Sequence, residues 1–426
     1  MVGVFEKEVS SSSHALDEAA GESPLLLPLH GAGPQQQGQG KGRHLSSQPK
    51  TFANVFIAIV GAGVLGLPYT FMRTGWAAGL AVLLGVAALT FHCMMLLVRT
   101  RRRLEPCKIA SFGDLGMAVS GPLGRLAVDS MIVLSQAGFC VGYLIFICNS
   151  LAHLLPSLPK PSFVLAMLPF QLALNSVRSL TLLAPISIFA DLVDLGAMGV
   201  VLGQDLSVLA SAPPPVRACG SPAALLYGVG VAVYAFEGIG MVLPLEAEAA
   251  DKPRFGRALA LSMAFIAAMY GLFGALGYLA FGDDTRDIIT TNLGPGWLTV
   301  LVQVGLCVNL FFTMPVMMNP VYEVAERWAC GNRYCWWLRW ALVAAVSAAA
   351  VAVPNFADFL SLVGSSVCVV LGFVLPAAFH LKVLGPDMGW PGVAADVAVV
   401  VLGIVLAVSG TWSSLSQILF SPEVSS

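Results

Sequence analysis

The chain has 426 residues, of which 57% are hydrophobic and 11% are charged, and its formal net charge is -2. Soluble domains carry about 25% charged residues, so this composition excludes an ordinary water-soluble fold and indicates an integral membrane protein in contact with lipid. The near-zero net charge also argues against a nucleic-acid-binding protein.

The first 50 residues differ from the rest of the chain. Serine, glutamine and glycine tracts without a periodic apolar face predict a disordered cytosolic tail over residues 1–50. No apolar stretch of signal-peptide length follows the start, which argues against a secretory signal. Within the tail, Glu22, Leu26 and Leu27 fit an acidic dileucine pattern that a sorting adaptor could bind.

Eleven apolar runs approach the roughly 20 residues that cross a bilayer. They are Phe52 to Phe71, Gly75 to Val98, Ser130 to Leu155, Pro161 to Ser176, Thr181 to Gly203, Pro222 to Leu245, Ala258 to Phe281, Gly296 to Val321, Trp340 to Val353, Phe359 to Leu381 and Ala394 to Trp412. The sequence therefore predicts an all-α membrane domain over residues 51–415 and a short lumenal tail over residues 416–426.

The basic residues test this count, because short cytoplasmic loops hold most Lys and Arg residues. With the N-terminus in the cytosol, four of the 22 basic residues fall on the opposite side, namely Arg73, Lys160, Arg217 and Arg286. The other 18 fall on the cytosolic side. A wrong number of spans would scramble this asymmetry, so we expect a cytosolic N-terminus and a lumenal C-terminus.

The first and sixth runs contain helix-weakening residues at matched positions. The first reads GAGVLGLP from Gly61 to Pro68, and the sixth reads FEGIGMVLP from Phe236 to Pro244. Both have Gly-x-Gly followed by Leu-Pro, and under the predicted orientation they cross the membrane in opposite directions. This pattern predicts a 5+5 inverted repeat with interrupted helices 1 and 6, plus a peripheral helix 11.

The interruptions predict a polar site near the middle of the bilayer, because broken backbone in lipid needs partners from a ligand, water or another helix. Half-helix ends could hold the carboxylate and the amine of a zwitterion. The alternative is close helix packing through small residues. The predicted binding residues are Gly61, Ala62, Gly63, Tyr143, Tyr234, Phe236 and Gly238.

At these residues the sequence resembles the amino acid/auxin permease family, which has the leucine-transporter fold. The likeness runs from about Phe52 to Leu381 and is most specific at ANVFIAIVGAGVLGLPYTFMRTGW (Ala53 to Trp76), FHCM (Phe91 to Met94), SIFADLVDLGAM (Ser187 to Met198) and FEGIGMVLPLE (Phe236 to Glu246). It is most similar to the plant vacuolar members of the third subgroup. The resemblance implies small neutral amino acids as substrates, the proton as coupling ion and a vacuolar membrane.

Ionisable residues inside apolar runs are candidates for proton coupling. Glu237 lies at the sixth-helix interruption and could either accept N–H bonds from the broken backbone or carry a proton. Asp191 and Asp194 are three residues apart, hence on one helix face, and could share a proton. If their helix begins later than predicted, Asp191 instead lies near Arg178 at the solvated interface.

His92 corresponds to a histidine that the resemblance implicates in coupling, and a histidine suits an acidic compartment. It could equally be a packing residue. Further pathway candidates are Asn309, Thr313, Ser365 and Ser366, with interhelical hydrogen bonding as the alternative. Glu246 and Glu248, beside Lys252 and Arg254, are interpreted as a solvated cytosolic end.

The sequence thus predicts a proton-coupled carrier that exports small neutral amino acids from the vacuole to the cytosol. The alternatives are an auxin or organic-acid carrier of the same family and a sensor that binds amino acids without transport. No nucleophile elbow or metal-ligand cluster is found, which argues against an enzyme. We expect membrane lipids and a sorting adaptor as partners, and no metal or other cofactor.

Overall fold

The computed structural model describes residues 46–104, 109–177, 184–211, 214–294, 296–353 and 355–420. For residues 184–191 it describes the backbone alone. The predicted sorting motif and most of the N-terminal tail therefore lie outside the described residues, as does the side chain of Asp191.

The described chain forms eleven helices, three of which are each divided into two segments, and we number them in order. They are α1a (Gln48–Ile59), α1b (Leu67–Thr74), α2 (Trp76–Arg103), α3 (Phe112–Leu154), α4 (Lys160–Asn175), α5 (Ala184–Ser211), α6a (Pro222–Ala235), α6b (Ile239–Glu248), α7 (Phe255–Phe281), α8 (Trp297–Ala329), α9 (Trp336–Ala352), α10a (Phe356–Val363), α10b (Leu375–Leu384) and α11 (Trp390–Phe420). A 3-10 helix (Ala62–Gly66) joins α1a to α1b, and two π-helical turns (Gly364–Cys368 and Val370–Val374) join α10a to α10b.

Eight of the described helices are long and apolar enough to cross a membrane, with α6 and α10 each counted as one, and the bent pair α1a and α1b makes a ninth. The shorter α4 has 16 residues and α9 has 17, and they complete the predicted set of eleven. The prediction of an all-helical membrane domain is therefore confirmed. Helices α1–α5 and α6–α10 form two sets of five, and each set opens with a broken helix.

Several helix ends differ from the predicted ends because capping residues and polar turns extend the helices beyond the apolar runs. The third helix begins at Phe112, where Ser111 and Asp114 form a capping box, and it bends at Gly121, whose φ is +64°. Asn355 caps α10a through the backbone N–H of Asp358, 3.0 Å away. The last helix continues to Phe420, beyond the predicted end of the membrane domain.

The core sits where α1, α3, α6, α8 and α10 meet, and α11 lies outside it. In the most apolar stretch of α11, 11% of the residues are buried, as expected of a helix that faces lipid on most sides. We call the side at which α2 and α8 end the basic face, after Arg101 to Arg103 and Arg327. The other side, which carries Arg73 and the turns around Asp283 and Asp287, is the opposite face.

Candidate functional site

The first interruption separates α1a from α1b by a bend of 54°. The chain leaves α1a after Ile59, passes through extended backbone at Val60 and Gly61, and re-enters helical conformation at Ala62. The first N–H groups of a new helical segment have no acceptor within it, so this stretch offers backbone donors at the break. The hydroxyl of Tyr270 on α7 donates to the carbonyl of Ile59, 3.4 Å away, and occupies one of the acceptors left by α1a.

The second interruption lies between α6a and α6b. Phe236 and Glu237 follow the last turn of α6a, and α6b begins after Gly238. The N–H of Ile239 donates to the Glu237 carboxylate, so this side chain binds the broken backbone directly. Glu237 is partly exposed, and its Oε2 lies 3.9 Å from where a Cβ on Gly372 of helix 10 would stand. The carboxylate therefore lies between the break and the π-helical part of helix 10.

The two interruptions touch each other through the predicted glycines. A Cβ on Gly63 would lie 2.9 Å from the Cα of Ala235 and 3.1 Å from the Tyr234 ring. A Cβ on Gly238 would lie 2.7 Å from the side chain of Ile59. The close approach of the Ala235 backbone therefore requires Gly63, and the Ile59 side chain packs directly on Gly238. The structure thus brings the two halves of the repeat together at their breaks.

Gly61 has a different environment from Gly63. A Cβ built on Gly61 meets no atom within 4 Å, so this glycine borders open space. The buried hydroxyl of Tyr234 accepts and donates no hydrogen bond among the described residues, and a Cβ on Gly142 of α3 would lie 3.0 Å from it. Tyr143, the next residue on α3, is within electrostatic reach of Tyr234. Polar groups from α1, α3 and α6 thus converge beside the breaks.

Phe236, predicted to line the site, is fully buried and packs its ring 5.3 Å from the ring of Tyr270. Tyr270 in turn holds the end of α1a. Phe236 therefore supports the backbone at the first break through Tyr270.

Asp194 on α5 lies on the other side of the first break. Asn309 Nδ2 of α8 donates to Asp194 Oδ1 at 2.6 Å, and Thr313 Oγ1 donates to Asn309 Oδ1 at 3.0 Å. Asp194 is also within electrostatic reach of Tyr270, the residue that bonds Ile59. Three candidates that the sequence placed on two separate helices therefore form one polar cluster next to α1a.

His92 lies apart from these groups. Its charged neighbours are Arg99 on α2 and the pair of His380 on α10b with Asp396 on α11. His380 and Asp396 were not among the candidates chosen from the sequence. A histidine and an aspartate within apolar runs are the signal that could have identified the pair.

The hydroxyl groups of Ser365 and Ser366 form hydrogen bonds within their own helix. Ser365 Oγ donates to the carbonyl of Ser361 at 2.6 Å, and Ser366 Oγ donates to that of Leu362 at 2.5 Å. Ser365 also packs against Gly410 of α11. These two serines therefore belong to the α10–α11 contact, away from the breaks.

An ion pair joins α1b to α10a at the opposite face. Arg73 Nη1 lies 3.2 Å from Asp358 Oδ1, and the Arg73 guanidinium stacks 4.0 Å from the centre of the Tyr227 ring. The backbone N–H of Phe356, at the start of α10a, donates to Asp287 Oδ2 at 3.1 Å. The first contact holds α10a against the end of α1b, which makes a closed junction at the opposite face, and the second holds α10a against the loop that follows α7.

Glu246 corrects an interpretation made from the sequence. It was expected to be solvated beside Lys252 and Arg254, but it is 1% exposed and forms ion pairs with Arg101 and Arg102 of α2. The interpretation relied on the neighbours of Glu246 in sequence, whereas in the fold α6b packs against α2 and buries Glu246 there. The pairs connect α6b, the half-helix after the Glu237 break, to the basic face.

Further ion pairs at the basic face join α8 to α3 and to α9. Arg327 Nη1 lies 2.9 Å from Asp129 Oδ2, and Arg339 Nε lies 2.7 Å from Glu326 Oε1. Cys330 and Cys335 form a disulfide in the turn that follows α8. Both faces are therefore bridged by charged groups, and the two breaks lie between them.

Two solved structures share this architecture. The inward-facing conformation of Mhp1 has a TM-score of 0.57 at 13% sequence identity, covering 88% of this chain and 90% of that one. The closed conformation of Mhp1, a nucleobase-cation-symport-1 family transporter with bromovinylhydantoin bound, has a TM-score of 0.55 at 16% identity, covering 88% and 92%. The fold and the paired breaks thus define a multi-pass membrane protein of the broken-helix class.

The chain belongs to the transmembrane amino acid transporter protein family, whose model matches residues 44–416. It is 61% identical to the amino acid transporter AVT3B of Arabidopsis thaliana over 394 residues, covering 89% of this chain and 95% of the relative. It is 27% identical to vacuolar amino acid transporter 3 of Saccharomyces cerevisiae, covering 89% of this chain and 58% of that protein. The resemblance found in the sequence is therefore confirmed.

Proposed function

We propose that this protein is a proton-coupled carrier of small neutral amino acids that moves them from the vacuole lumen to the cytosol. The observation that carries the proposal is the contact between the two interrupted helices at Gly63 and Gly238, with a carboxylate, Glu237, bonded to one break. Broken backbone at this depth offers donors and acceptors whose partners lipid cannot supply. A zwitterion with both charged groups on one carbon matches that combination.

The arrangement favours a small substrate. The backbone N–H groups beside Gly61 would receive its carboxylate, in the space that a Cβ on this glycine would enter. Tyr234 offers an unpaired hydroxyl nearby, and its ring stands 4.8 Å from the ring of Phe139. Because aromatic rings and Gly142 pack this tightly around the breaks, a short apolar side chain fits better than a long or charged one.

Two groups at the breaks could carry the coupled proton. Glu237 contacts the sixth-helix break and faces helix 10 at Gly372. Asp194 contacts Asn309 and lies beside the first break through Tyr270. Each is placed where a change of protonation alters the hydrogen bonds that hold an interrupted helix, and that is how proton binding would be linked to opening of the site.

The name of one relative and the charge distribution support a vacuolar location and export to the cytosol. The yeast relative is named a vacuolar transporter, and the basic face suits the cytosolic side by the positive-inside rule. The C-terminus would then be lumenal. A vacuole is more acidic than the cytosol, so protons moving with substrate drive export. The dileucine pattern at Glu22, Leu26 and Leu27 would direct sorting, and changing both leucines to alanine should move a tagged protein to another membrane.

The direct test is transport by the purified chain in proteoliposomes under an imposed pH gradient, with a panel of amino acids and auxin. We expect uptake of small neutral amino acids that collapses when the gradient is removed with a protonophore. Preferred uptake of auxin would identify an organic-acid carrier instead. Saturable binding without uptake would identify a sensor, and uptake indifferent to the gradient would refute proton coupling.

A further inference from the structure

A disulfide closes the turn between α8 and α9 at the basic face. Cys330 and Cys335 are five residues apart in sequence, and their Cα atoms lie 6.7 Å apart. Between them, Gly331 and Asn332 have φ of +59° and +63°, a left-handed conformation that glycine and asparagine tolerate. Both cysteines are partly exposed and residues 331–333 are exposed, so the bridge can be reached from water.

Tryptophans on both sides of the turn mark its position relative to the membrane. Trp328 near the end of α8 and Trp336 and Trp337 at the start of α9 each expose about half of their surface. Tryptophan is enriched where a membrane meets water, so these rings mark the level of the lipid headgroups. The turn between them therefore lies on the aqueous side, which is the cytosol in the orientation proposed above.

A disulfide on a cytosolic surface is exposed to reductants. Thioredoxin and glutathione keep cytosolic thiols reduced, and the disulfides that do form there are usually transient or redox-sensing. We infer that Cys330 and Cys335 form a redox-active site, at which a cytosolic dithiol reductant opens the bridge and releases the basic-face ends of α8 and α9. The inference rests on the proposed orientation of the carrier.

The two sulfurs are not equivalent, because they lie at opposite ends of helices. Cys330 follows the last residue of α8, and Cys335 is the N-cap of α9. The N-terminal end of a helix stabilises a thiolate, and a stabilised thiolate leaves faster in exchange. The reductant therefore attacks the sulfur of Cys330, and Cys335 leaves as the thiolate.

The exchange proceeds in two steps. The first forms a mixed disulfide between Cys330 and the reductant and breaks the bond to Cys335. The second thiol of the reductant then displaces Cys330, so the reductant leaves as its own disulfide and the turn gains two electrons and two protons. In the reverse direction, the Cys335 thiolate attacks oxidised glutathione and Cys330 displaces the bound glutathione. Two molecules of reduced glutathione then leave.

The disulfide encloses the hydrogen bonds of one buried carboxylate, Glu326. This side chain accepts the N–H of Cys335 at 3.1 Å and Arg339 Nε at 2.7 Å. The backbone carbonyl of Glu326 accepts the N–H groups of Cys330 and Asn332, at 2.9 and 3.1 Å. When the bridge opens, the turn loses its covalent closure and these bonds alone hold it in place.

The same turn also holds the end of α4. The Tyr334 hydroxyl donates to the Ser176 carbonyl at 2.8 Å, and Trp340 Nε1 donates to the Ser176 hydroxyl at 2.9 Å. The Arg339 guanidinium stacks 4.5 Å from the centre of the Tyr334 ring and 4.7 Å from that of Tyr322. A looser turn therefore loosens the packing of α4 against α8 and α9.

Reduction should change the rate of transport and leave substrate binding intact. The pair of Arg339 with Glu326 is one of the contacts that bridge the basic face, and the disulfide supports it. Reduction therefore makes this face easier to open. Cys330 lies about 30 Å along α8 from Asn309, which borders the first break, at a rise of about 1.5 Å per residue. The site at the breaks should therefore keep its affinity.

The first experiment counts thiols in intact vacuoles, whose outer surface is the cytosolic side. All chains carry C107S, because Cys107 lies outside the described residues, and Cys219 on the opposite face is the reference thiol. Thioredoxin added outside should expose two further thiols per chain to a membrane-impermeant maleimide, and oxidised glutathione should remove them. C330S/C335S should show no such gain, and the matched control C219S should show all of it.

The second experiment measures alanine uptake in proteoliposomes with an excess of reduced or of oxidised glutathione. We expect the maximal rate to be about threefold higher in the reduced protein, because conformational steps limit the rate of many such cycles. The KM should stay within about twofold. C330S/C335S should transport at the reduced rate under both conditions, and C219S should respond as the parent does.

The inference is overturned if thioredoxin exposes no further thiols, or if the parent transports equally fast in both forms of glutathione. Both readouts are made on chains that keep the cysteine pair, so poor folding of C330S/C335S would obscure neither. Failure of the proposed orientation has its own signature, since the maleimide would then label Cys219 from outside the vacuole and miss the pair. If the parent ignores the pH gradient, proton coupling alone is refuted.

Discussion

Gly61 offers the sharpest test of the proposed substrate site. Its backbone is extended, with φ -161° and ψ -165°, a conformation open to alanine, and an added Cβ meets no atom within 4 Å. Gly61→Ala should therefore fold as the parent does. The methyl group would project into the space beside the broken backbone, where we place the substrate carboxylate.

The magnitude follows from the hydrogen bonds that the methyl group would disturb. A bond from a backbone N–H to a carboxylate contributes about 1.5–3 kcal/mol. Losing one such bond weakens substrate binding about 10- to 100-fold, since 1.4 kcal/mol corresponds to a factor of ten. We therefore expect the KM for alanine to rise by about that factor, with Tm within about 2 °C of the parent.

Substitutions at two other glycines serve as comparisons for the KM and Tm of Gly61→Ala. Gly85→Ala on α2 also meets open space but faces away from the core, so it should leave KM unchanged. Gly63→Val should lower Tm and the yield of folded protein, because its Cβ would lie 2.9 Å from the Ala235 backbone. A normal KM for Gly61→Ala in a folded protein would remove the substrate carboxylate from the first break.

Three further predictions address the break, the opposite face and pH. Glu237→Gln should abolish gradient-driven uptake but preserve exchange if Glu237 carries the proton, whereas both should fall together if it braces the break. Arg73→Gln should leave Asp358 without its counter-charge and destabilise the contact of α10a by about 1–2 kcal/mol, since this pair is half-buried. Amide exchange at the start of α10a should then be about tenfold faster. Arg217→Gln, which removes an exposed pair, should leave this exchange rate unchanged. Burial raises the pKa of Asp287, with a backbone N–H bond acting against it, so the folded protein holds this proton above pH 3.9, the usual value. Stability then falls as pH rises above that value, and Asp287→Asn should gain Tm over the parent as pH rises above about pH 4. A pH-independent difference would contradict this.

The sequence alone predicted the breaks because their cause is local. Glycine and proline weaken a helix wherever they occur. The chain contains Gly-x-Gly followed by Leu-Pro twice, beginning at Gly61 and at Gly238. The apolar runs likewise predicted eleven helical segments, because crossing lipid imposes length and composition on each segment separately. Their ends were less accurate, since the start of α3 depends on Ser111 and its capping box.

The predicted polar candidates were brought together only in part. Asp194, Asn309 and Thr313 meet at the first break, and Tyr234 and Tyr143 lie close to each other. Their partners could not be chosen from the sequence, since Asp194 and Asn309 are 115 residues apart. Their contact depends on how α5 and α8 are rotated toward each other, and each helix presents several faces that would satisfy its own hydrophobic pattern.

Long-range pairing explains the residues that the sequence misassigned or missed. Glu246 was expected in solvent because Lys252 and Arg254 are near it in sequence, yet α6b packs on α2 and buries it against Arg101 and Arg102. Arg73 finds Asp358 at a separation of 285 residues.

The sequence by itself determined that this chain crosses a membrane, where its helices break and to which family it belongs, because those properties are carried by composition and by short motifs. Tertiary structure alone decided which ionisable side chains meet, as in the pair of His380 with Asp396 and the closed junction of Arg73 with Asp358. The physical reason is that a buried charge is tolerated only beside its partner, and the partner is fixed by helix packing across the whole fold.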